Sequence, residues 1–230
     1  METNRRLCMR DLPFFDRVEQ EVFSLVCRRA AVRKYYRRGE AMFSQGDSCD
    51  TVYLIKEGSF KLVRVTEDGK EVILQVAGKG EILGDASLFR EGFQPATAVA
   101  LEDARVCAVG RRRLEELVRE TPDLALQIIV SLGNRLYDTW DQMTDLNAGT
   151  TRERVLNMLL RLAGEHGEPC EGGTIIRVHL TQQDIADFVG ASRVMVAHAL
   201  KELAARNSIA KSNRYYIIKD RCPLARDVKM

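Results

Sequence analysis

Between Leu180 and Ile209 the chain reads LTQQDIADFVGASRVMVAHALKELAARNSI. Thr181 is a residue type that caps helices, and Asp184 follows three positions later, so a helix starts here. It turns Ile185, Ala186 and Val189 inward and stops at Gly190, where a positive φ costs least. A second helix starts at Ala191-Ser192 and buries Val196, Ala199, Leu200 and Leu203. Ala186 is small where two helices must cross closely, with Gly190 four residues on and Val196 six beyond that. This spacing fits a helix-turn-helix, in which the second helix can enter a DNA major groove. The bland alternative is an αα-hairpin inside an all-helical domain. Against it, basic residues continue past the motif, and Ile209 to Ile218 reads as a two-stranded wing.

In the helix-turn-helix reading, Ser192 and Arg193 sit at the N-terminal end of the second helix, where base edges are met. Arg193 can give two donors to guanine O6 and N7, or pair with a phosphate. His198 and Lys201 lie further along the same face. Thr181, Gln182, Gln183, Lys211 and Arg214 are candidates for phosphate contacts. For each of them the competing reading is a solvated surface residue.

The first hundred residues have a different rhythm. Ala41-Met42-Phe43, Thr51 to Ile55, Phe60 to Val65 and Glu71 to Val76 read as short strands. They are punctuated by Arg38-Gly39-Glu40, Ser44-Gln45-Gly46-Asp47, Lys56-Glu57-Gly58 and Glu67-Asp68-Gly69-Lys70. Further strands are expected over Thr97 to Leu101 and Arg105 to Val109. Short strands at such spacing predict a β-sandwich or barrel-like roll.

The pattern changes after Gly110. Arg111 to Glu120 predicts a short helix, and Pro122-Asp123 opens a long one running to about Leu146, since proline is tolerated in a first turn. Ile129, Leu132, Leu136, Thr139 or Trp140, Met143 and Leu146 follow a near-heptad seam. Packing on the chain's own roll could bury that stripe; a second copy of the same helix explains it better. Asn147 to Thr150 breaks the pattern, and Thr150 with Glu153 is spaced as a capping box for a helix from Arg152 to about Gly164. His166 to Gly173 is expected to be an acidic, turn-rich loop, and Thr174 to Val178 a strand. The expected divisions are therefore residues 1–110 as a roll, 111–149 as a dimerisation helix and hinge, and 150–230 as a DNA-binding domain.

Composition narrows the class. At 230 residues with 45% hydrophobic and 30% charged content, the chain suits one large or two ordinary domains and is not wholly disordered. No apolar run is long enough for a transmembrane helix. The charged N-terminus lacks the apolar core of a secretion signal, so the cytoplasm is the expected location and no membrane partner is expected. From Thr150 onward there are 13 Lys and Arg against 9 Asp and Glu, a balance of +4; the preceding residues hold 22 against 24, or −2. The basic excess lies in the part that carries the helix-turn-helix. Cys8, Cys27, Cys49, Cys107, Cys170 and Cys222 include no CxxC and have no histidine at zinc-ligand spacing.

Taken over residues 15–220, the order of roll, long helix and winged helix-turn-helix resembles the cyclic-AMP receptor protein/FNR family of bacterial transcription regulators. GDSCDTVYLIKEGSFKL resembles that family's roll strands, GEILGDASLF its ligand cassette, and LTQQDIADFVGASRVMVAHAL its DNA-reading unit. The resemblance implies an α+β fold with an N-terminal double-stranded β-helix of the cyclic-nucleotide-binding type, a long dimerisation helix and a C-terminal winged helix-turn-helix. It also implies a homodimer on a palindromic double-stranded operator, gated by a signal received in the roll. RNA polymerase is then a candidate partner.

The chain departs from the family pattern at several places. Cyclic-AMP binders of the family carry a Gly-Glu pair for the ribose and an Arg-Ser pair for the cyclic phosphate. Gly84-Asp85 stands at the first place and Pro95-Ala96 at the second. Proline has neither N–H nor charge, and no Arg or Lys occurs from Glu91 to Ala104, so no cyclic-nucleotide binding is expected. The iron–sulfur branch uses clustered N-terminal cysteines, which this chain lacks, and all three histidines lie beyond residue 165, away from the roll where the haem branch needs ligands. No cofactor is expected. Val194 stands where most relatives carry a Glu, and His198 where they carry an Arg. Val194 cannot accept from cytosine N4 but can touch a thymine methyl, which shifts the expected half-site toward A·T-rich sequence. Valine at that place also resembles the branch that senses halogenated phenols; His198 differs from it.

A small neutral or aromatic effector fits a cassette without arginine. Leu83, Gly84, Asp85, Leu88, Phe89 and Phe93, with Tyr53 beside them and Tyr137 of the long helix, are its candidate contacts; plain roll core is the competing reading. A thiol-redox switch through Cys27, Cys49 or Cys107 is the alternative signal. An enzyme of the cupin type would need a His and carboxylate metal set in the roll, and no histidine precedes residue 166.

Overall fold

The structure is a computed structural model that describes residues 31–84, 92–120, 122–147 and 149–220. Among the described residues eight strands come first: β1 Ala31–Tyr36, β2 Ala41–Phe43, β3 Thr51–Glu57, β4 Phe60–Val65, β5 Glu71–Ala77, β6 Ile82–Leu83, β7 Thr97–Ala100 and β8 Ala104–Gly110. They form two four-stranded sheets ordered β1-β8-β3-β6 and β2-β7-β4-β5. Strands therefore pair from the outside inward: β1 with β8, β2 with β7, β3 with β6 and β4 with β5. That nesting is the double-stranded β-helix, and it brings distant residues into register, from Tyr36 with Ala104 to Ala31 with Val109.

The roll closes on one core. Met42, Phe43, Tyr53, Ile55, Phe60, Leu83, Ala98, Val106 and Ala108 come from both sheets into a single cluster, with Phe60 and Ile55 wholly buried. Each large side chain contributes about 1.5–3 kcal/mol by leaving water. Alanine at 98, 100, 104 and 108 leaves space for the Phe60, Phe43 and Tyr53 rings. Burial at Tyr36 and Tyr53 pushes both phenols up, Tyr36 to about 12. The strand β1 has no counterpart in the sequence expectations. Its Val32 and Tyr35 face solvent, so it shows no buried alternation and is held by its ladder to β8.

Five helices follow or intervene among the described residues: α1 Arg111–Glu120, α2 Pro122–Asn147, α3 Thr151–His166, α4 Gln182–Val189 and α5 Arg193–Ala205. Helix α1 buries Leu114 and Leu117 and packs on β8. The chain divides into two compact units, the first comprising residues up to Arg64 and Gln75–Arg135, the second Val65–Leu74 and everything from Leu136 on. In the second unit the amide of Gln142 on α2 donates to the Ile73 carbonyl at 3.4 Å.

The rest of the second unit is built on α3, whose Val155, Met158, Leu159, Leu162 and Ala163 are buried against α4, α5 and three further strands. The expected loop over His166 to Gly173 is instead a β-hairpin: β9 Gly167–Cys170 pairs with β10 Gly173–Ile176. Sequence pattern hides β9 because it is an edge strand, where Pro169 is tolerated, and three of its residues are Gly, Glu and Pro. Likewise the expected two-stranded wing, β11 Ile209–Ser212 and β12 Tyr215–Lys219, is half of a four-stranded sheet ordered β11-β12-β10-β9.

Candidate nucleic-acid interface

Helix α4 is fixed at both ends by its own residues. At its start, Thr181 Oγ1 accepts from the Asp184 amide at 3.1 Å, and Asp184 Oδ2 accepts from the Thr181 amide at 2.8 Å. The Thr181 hydroxyl donates to that same oxygen at 2.6 Å. At its end Gly190 adopts φ 62 and ψ 45, the left-handed conformation, and its N–H donates to the Ala186 carbonyl. The chain then turns at once into α5, whose N-cap Ser192 accepts from the Met195 amide at 3.2 Å. Val196, Ala199, Leu200 and Leu203 are buried, as their spacing predicts.

What α5 leaves outside follows from that buried face. Val194 is 79% exposed, and Arg193, Met195, His198 and Lys201 are exposed with it. Among the described residues nothing pairs with Arg193. The α5 candidates named from sequence, Arg193, Val194, His198 and Lys201, therefore lie on the solvent side of one helix, the first two within its first turn. A groove of about 470 Å³ runs beside them, walled by Thr151 and Arg152 of α3 and by Met195, His198 and Glu202 of α5.

The phosphate candidates divide by what their side chains already do. The Thr181 hydroxyl is committed to Asp184, and Gln183 donates to Asp187 at 2.7 Å. What this end offers an anion is the backbone N–H groups of Gln182 and Gln183 together with the half-buried Gln182 side chain. In the wing, Asn213 takes the turn with φ 52, a conformation asparagine tolerates. Lys211 stands over the Tyr216 ring at 5.3 Å and Arg214 over Tyr215 at 5.2 Å. Arg177 also meets Tyr215, at 5.6 Å, and pairs with Glu168 at 2.6 Å, which holds its guanidinium pKa above the usual range. Arg177 was missed from sequence, because only the pairing of β10 with β12 brings it to the wing.

The effector candidates are not gathered in this way. Leu83 is 1% exposed and Tyr53 7%, both in the roll core, with their Cα atoms paired across β3 and β6. Gly84 has φ +78, and a Cβ there would stand 2.5 Å from the Thr51 carbonyl oxygen, so the position admits only glycine. Phe93 is 76% exposed and does not join that core; its backbone bridges to Ser48. Tyr137 is exposed and meets Trp140 edge to face. Asp85, Leu88 and Phe89 lie outside the described residues. Ala96 is wholly buried, and Gln94 beside Pro95 is tied by its backbone to Gly46 and Asp47. Cys49 and Cys107 are buried and Cys170 half-buried; Cys27 lies outside the described residues. Among the described residues no cluster of His, Cys, Asp or Glu could hold a metal, and no helix is long and apolar enough to cross a membrane.

Two family models match the chain: a cyclic nucleotide-binding domain over residues 33–121 and a Crp-like helix-turn-helix domain over residues 153–226. A CRP-like cAMP-activated global transcriptional regulator of Mycobacterium tuberculosis is 33% identical over 83% of this chain and 85% of its own. The cAMP-activated global transcriptional regulator CRP of Escherichia coli is 26% identical over 80% and 87%. Among solved structures, FixK2 from Bradyrhizobium japonicum superposes with a TM-score of 0.74 at 21% identity, over 87% of this chain and 98% of that one.

Proposed function

The chain belongs to the Crp/Fnr family of helix-turn-helix transcription regulators, which are not enzymes, and from that premise we propose a homodimer gated by a signal other than cyclic AMP. The observation that carries the DNA contacts is the exposed N-terminal end of α5. Arg193 and Val194 are presented to a major groove there, with His198 and Lys201 a turn or two further along. Ser192 sets the helix start; Gln182, Lys211 and Arg214 are the side chains for phosphates, and Thr181, its hydroxyl held by Asp184, serves by capping α4. Val194 offers a methyl-sized apolar contact and no acceptor, which favours thymine and hence an A·T-rich half-site.

Dimerisation follows from the long helix. Ile129, Leu136, Trp140, Met143 and Leu146 of α2 are each 42–63% exposed along the near-heptad seam. A second copy of α2 removes that stripe from water and sets two α5 helices on successive turns of a palindromic site, about 34 Å apart. We assign residues 1–110 to the sensor, 111–149 to the dimer helix and hinge, and 150–230 to DNA binding, in the cytoplasm, with RNA polymerase as a further partner. The signal acts by shifting the population of two dimer arrangements through the hinge at residues 147–150.

The Mycobacterium tuberculosis and Escherichia coli relatives are cAMP-activated, so the cassette decides whether this chain shares their ligand. Pro95 and buried Ala96 supply neither charge nor a proline N–H for a cyclic phosphate. A small neutral or aromatic ligand is the better fit, and exposed Phe93 and Tyr137 are the rings open to it. A redox signal has less to act on, since buried thiols such as Cys49 and Cys107 are commonly inert.

The experiment is selection of binding sites from random duplex DNA, under reducing conditions, with and without cyclic AMP. A two-fold symmetric, A·T-rich site indifferent to cyclic AMP is expected. A site that appears only with cyclic AMP overturns the cassette argument.

A further inference from the structure

The cations of the wing stand on tyrosine rings. Lys211 lies over Tyr216 and Arg214 over Tyr215, and a third cation, Arg177, reaches the Tyr215 ring from outside the hairpin at 5.6 Å. Sheet register explains how. Ile175 on β10 faces Ile217 on β12, and the same register carried two residues further sets Arg177 opposite Tyr215. The Arg177 amide donates to the His166 carbonyl at 2.9 Å, so the backbone is fixed there as well. Its side chain is held at Nε, which donates to Oε2 of Glu168 on β9 at 2.6 Å. Among the described residues the two terminal nitrogens of the guanidinium make no hydrogen bond, and the side chain is 48% exposed. Ion pairs exposed to this degree are weak, so Glu168 orients Arg177 without using up its charge. An arginine held at Nε and against a ring keeps its outer nitrogens for a second oxyanion, and a planar fork of donors suits phosphate. Strand β11 packs on α5, so the hairpin that carries Arg214 and Tyr215 is joined to the reading helix itself.

We propose that Arg177 is a further phosphate contact of the DNA interface and that Tyr215 is its positioning residue, one ring setting Arg177 beside Arg214 as a pair of cations for the DNA backbone. An arginine already ordered by a ring gives up less freedom when it meets a phosphate. Because the contact is to phosphate, it adds affinity and salt dependence without adding sequence preference. The inference rests on the DNA reading of α5 and the wing.

The test is fluorescence anisotropy of the full-length protein on two labelled duplexes of equal length, the site selected by the wild type and a random sequence, from about 50 to about 200 mM salt. Arg177→Gln keeps a donor for Glu168 without the charge, so a part played in the fold alone survives it. Arg206→Gln removes a charge that is exposed at the opposite end of α5 from Arg193 and serves as the control. Arg177→Gln and Arg177→Ala are both expected to make the salt slope shallower by about 0.9, so that the loss of affinity over this range becomes about 3-fold smaller. Both should weaken the two duplexes by the same factor. Tyr215→Phe keeps the ring and should keep the wild-type slope, whereas Tyr215→Leu should make it shallower. An Arg177→Gln slope equal to that of the wild type, or no shallower than that of Arg206→Gln, overturns the inference while the DNA reading stands. So does an Arg177→Gln effect confined to the selected site, which marks a base contact instead. A Tyr215→Leu slope equal to that of the wild type overturns the positioning role. A wild type that binds neither duplex overturns the DNA reading itself, and this inference with it.

Discussion

Leu146, on the last turn of α2, packs against Gly190, the turn residue of the helix-turn-helix: its Cδ2 stands 3.3 Å from the point a Cβ on Gly190 would occupy. One glycine therefore meets two demands, a left-handed φ of 62 and the approach of the long helix. A second tie runs beside it, from Asn157 of α3 to Asp145 of α2 at 2.8 Å. In the second unit the end of the long helix is joined directly to the turn that aims α5.

Gly190→Ala is expected to destabilise the protein by about 1–2 kcal/mol, chiefly from the backbone conformation. Gly69→Ala provides the reference, since Gly69 has φ +79 with nothing within 4 Å of an added Cβ. Urea denaturation of both variants, with Leu146→Ala added to Gly190→Ala, separates the two contributions. Equal costs at 69 and 190, with no relief from Leu146→Ala, mean that the Leu146 contact carries no energy.

Arg193 and Lys211 are expected to fail differently. Arg193→Ala costs about 1–3 kcal/mol at one base pair of the selected site and relaxes its specificity, as loss of a base contact does. Lys211→Ala weakens all sequences alike and reduces the salt slope by about 1, as loss of a phosphate contact does. Fluorescence anisotropy on matched and mutated duplexes at several salt concentrations reads both. Equal binding of wild type and Arg193→Ala across those duplexes removes Arg193 from the base contacts.

These contrasts also show which features were legible in the sequence. The helix-turn-helix was readable because its punctuation is local: Thr181 with Asp184, Gly190 and Ser192 each act within four residues. The strands β3 to β5 were readable for the same reason, from their turns. Strands β1 and β9 were not, because an edge strand with exposed Val32 or with Pro169 is held by a distant partner rather than by its own pattern. Arg177 reaches the wing, and Arg152 reaches Glu202, only through tertiary packing. Phe93 carried an apolar signal that its position, on the surface beside Ser48, does not use in the core.

Dimerisation through α2 is expected to fail in a Leu136→Glu, Met143→Glu variant. Both side chains are already exposed, so the single chain tolerates the charges, whereas a seam between two copies does not. Analytical ultracentrifugation should give a dimer for the wild type and a monomer for the variant, with an unchanged circular dichroism spectrum and much weaker operator binding. A wild type that sediments as a monomer at micromolar concentration and on DNA excludes this seam.

The hinge helix cap should make stability pH-dependent in one direction. Glu153 Oε2 accepts from the Thr150 amide at 2.7 Å and from its hydroxyl at 3.0 Å, and the backbone bond first, then the hydroxyl, hold the carboxyl below the ordinary glutamate value of 4.5. A depressed folded-state value means that folding favours the ionised form. Its contribution is therefore fully present above 4.5 and is lost as the pH falls through and below that value. Glu153→Gln keeps the shape of the capping box without the charge, so the stability gap between wild type and variant should be widest near neutrality and close toward about pH 3. Because the carboxylate is exposed, added salt should narrow the gap as well. Denaturant titrations of both proteins across that range decide the matter: a gap that stays constant with pH means the cap does not depend on the ionised carboxylate.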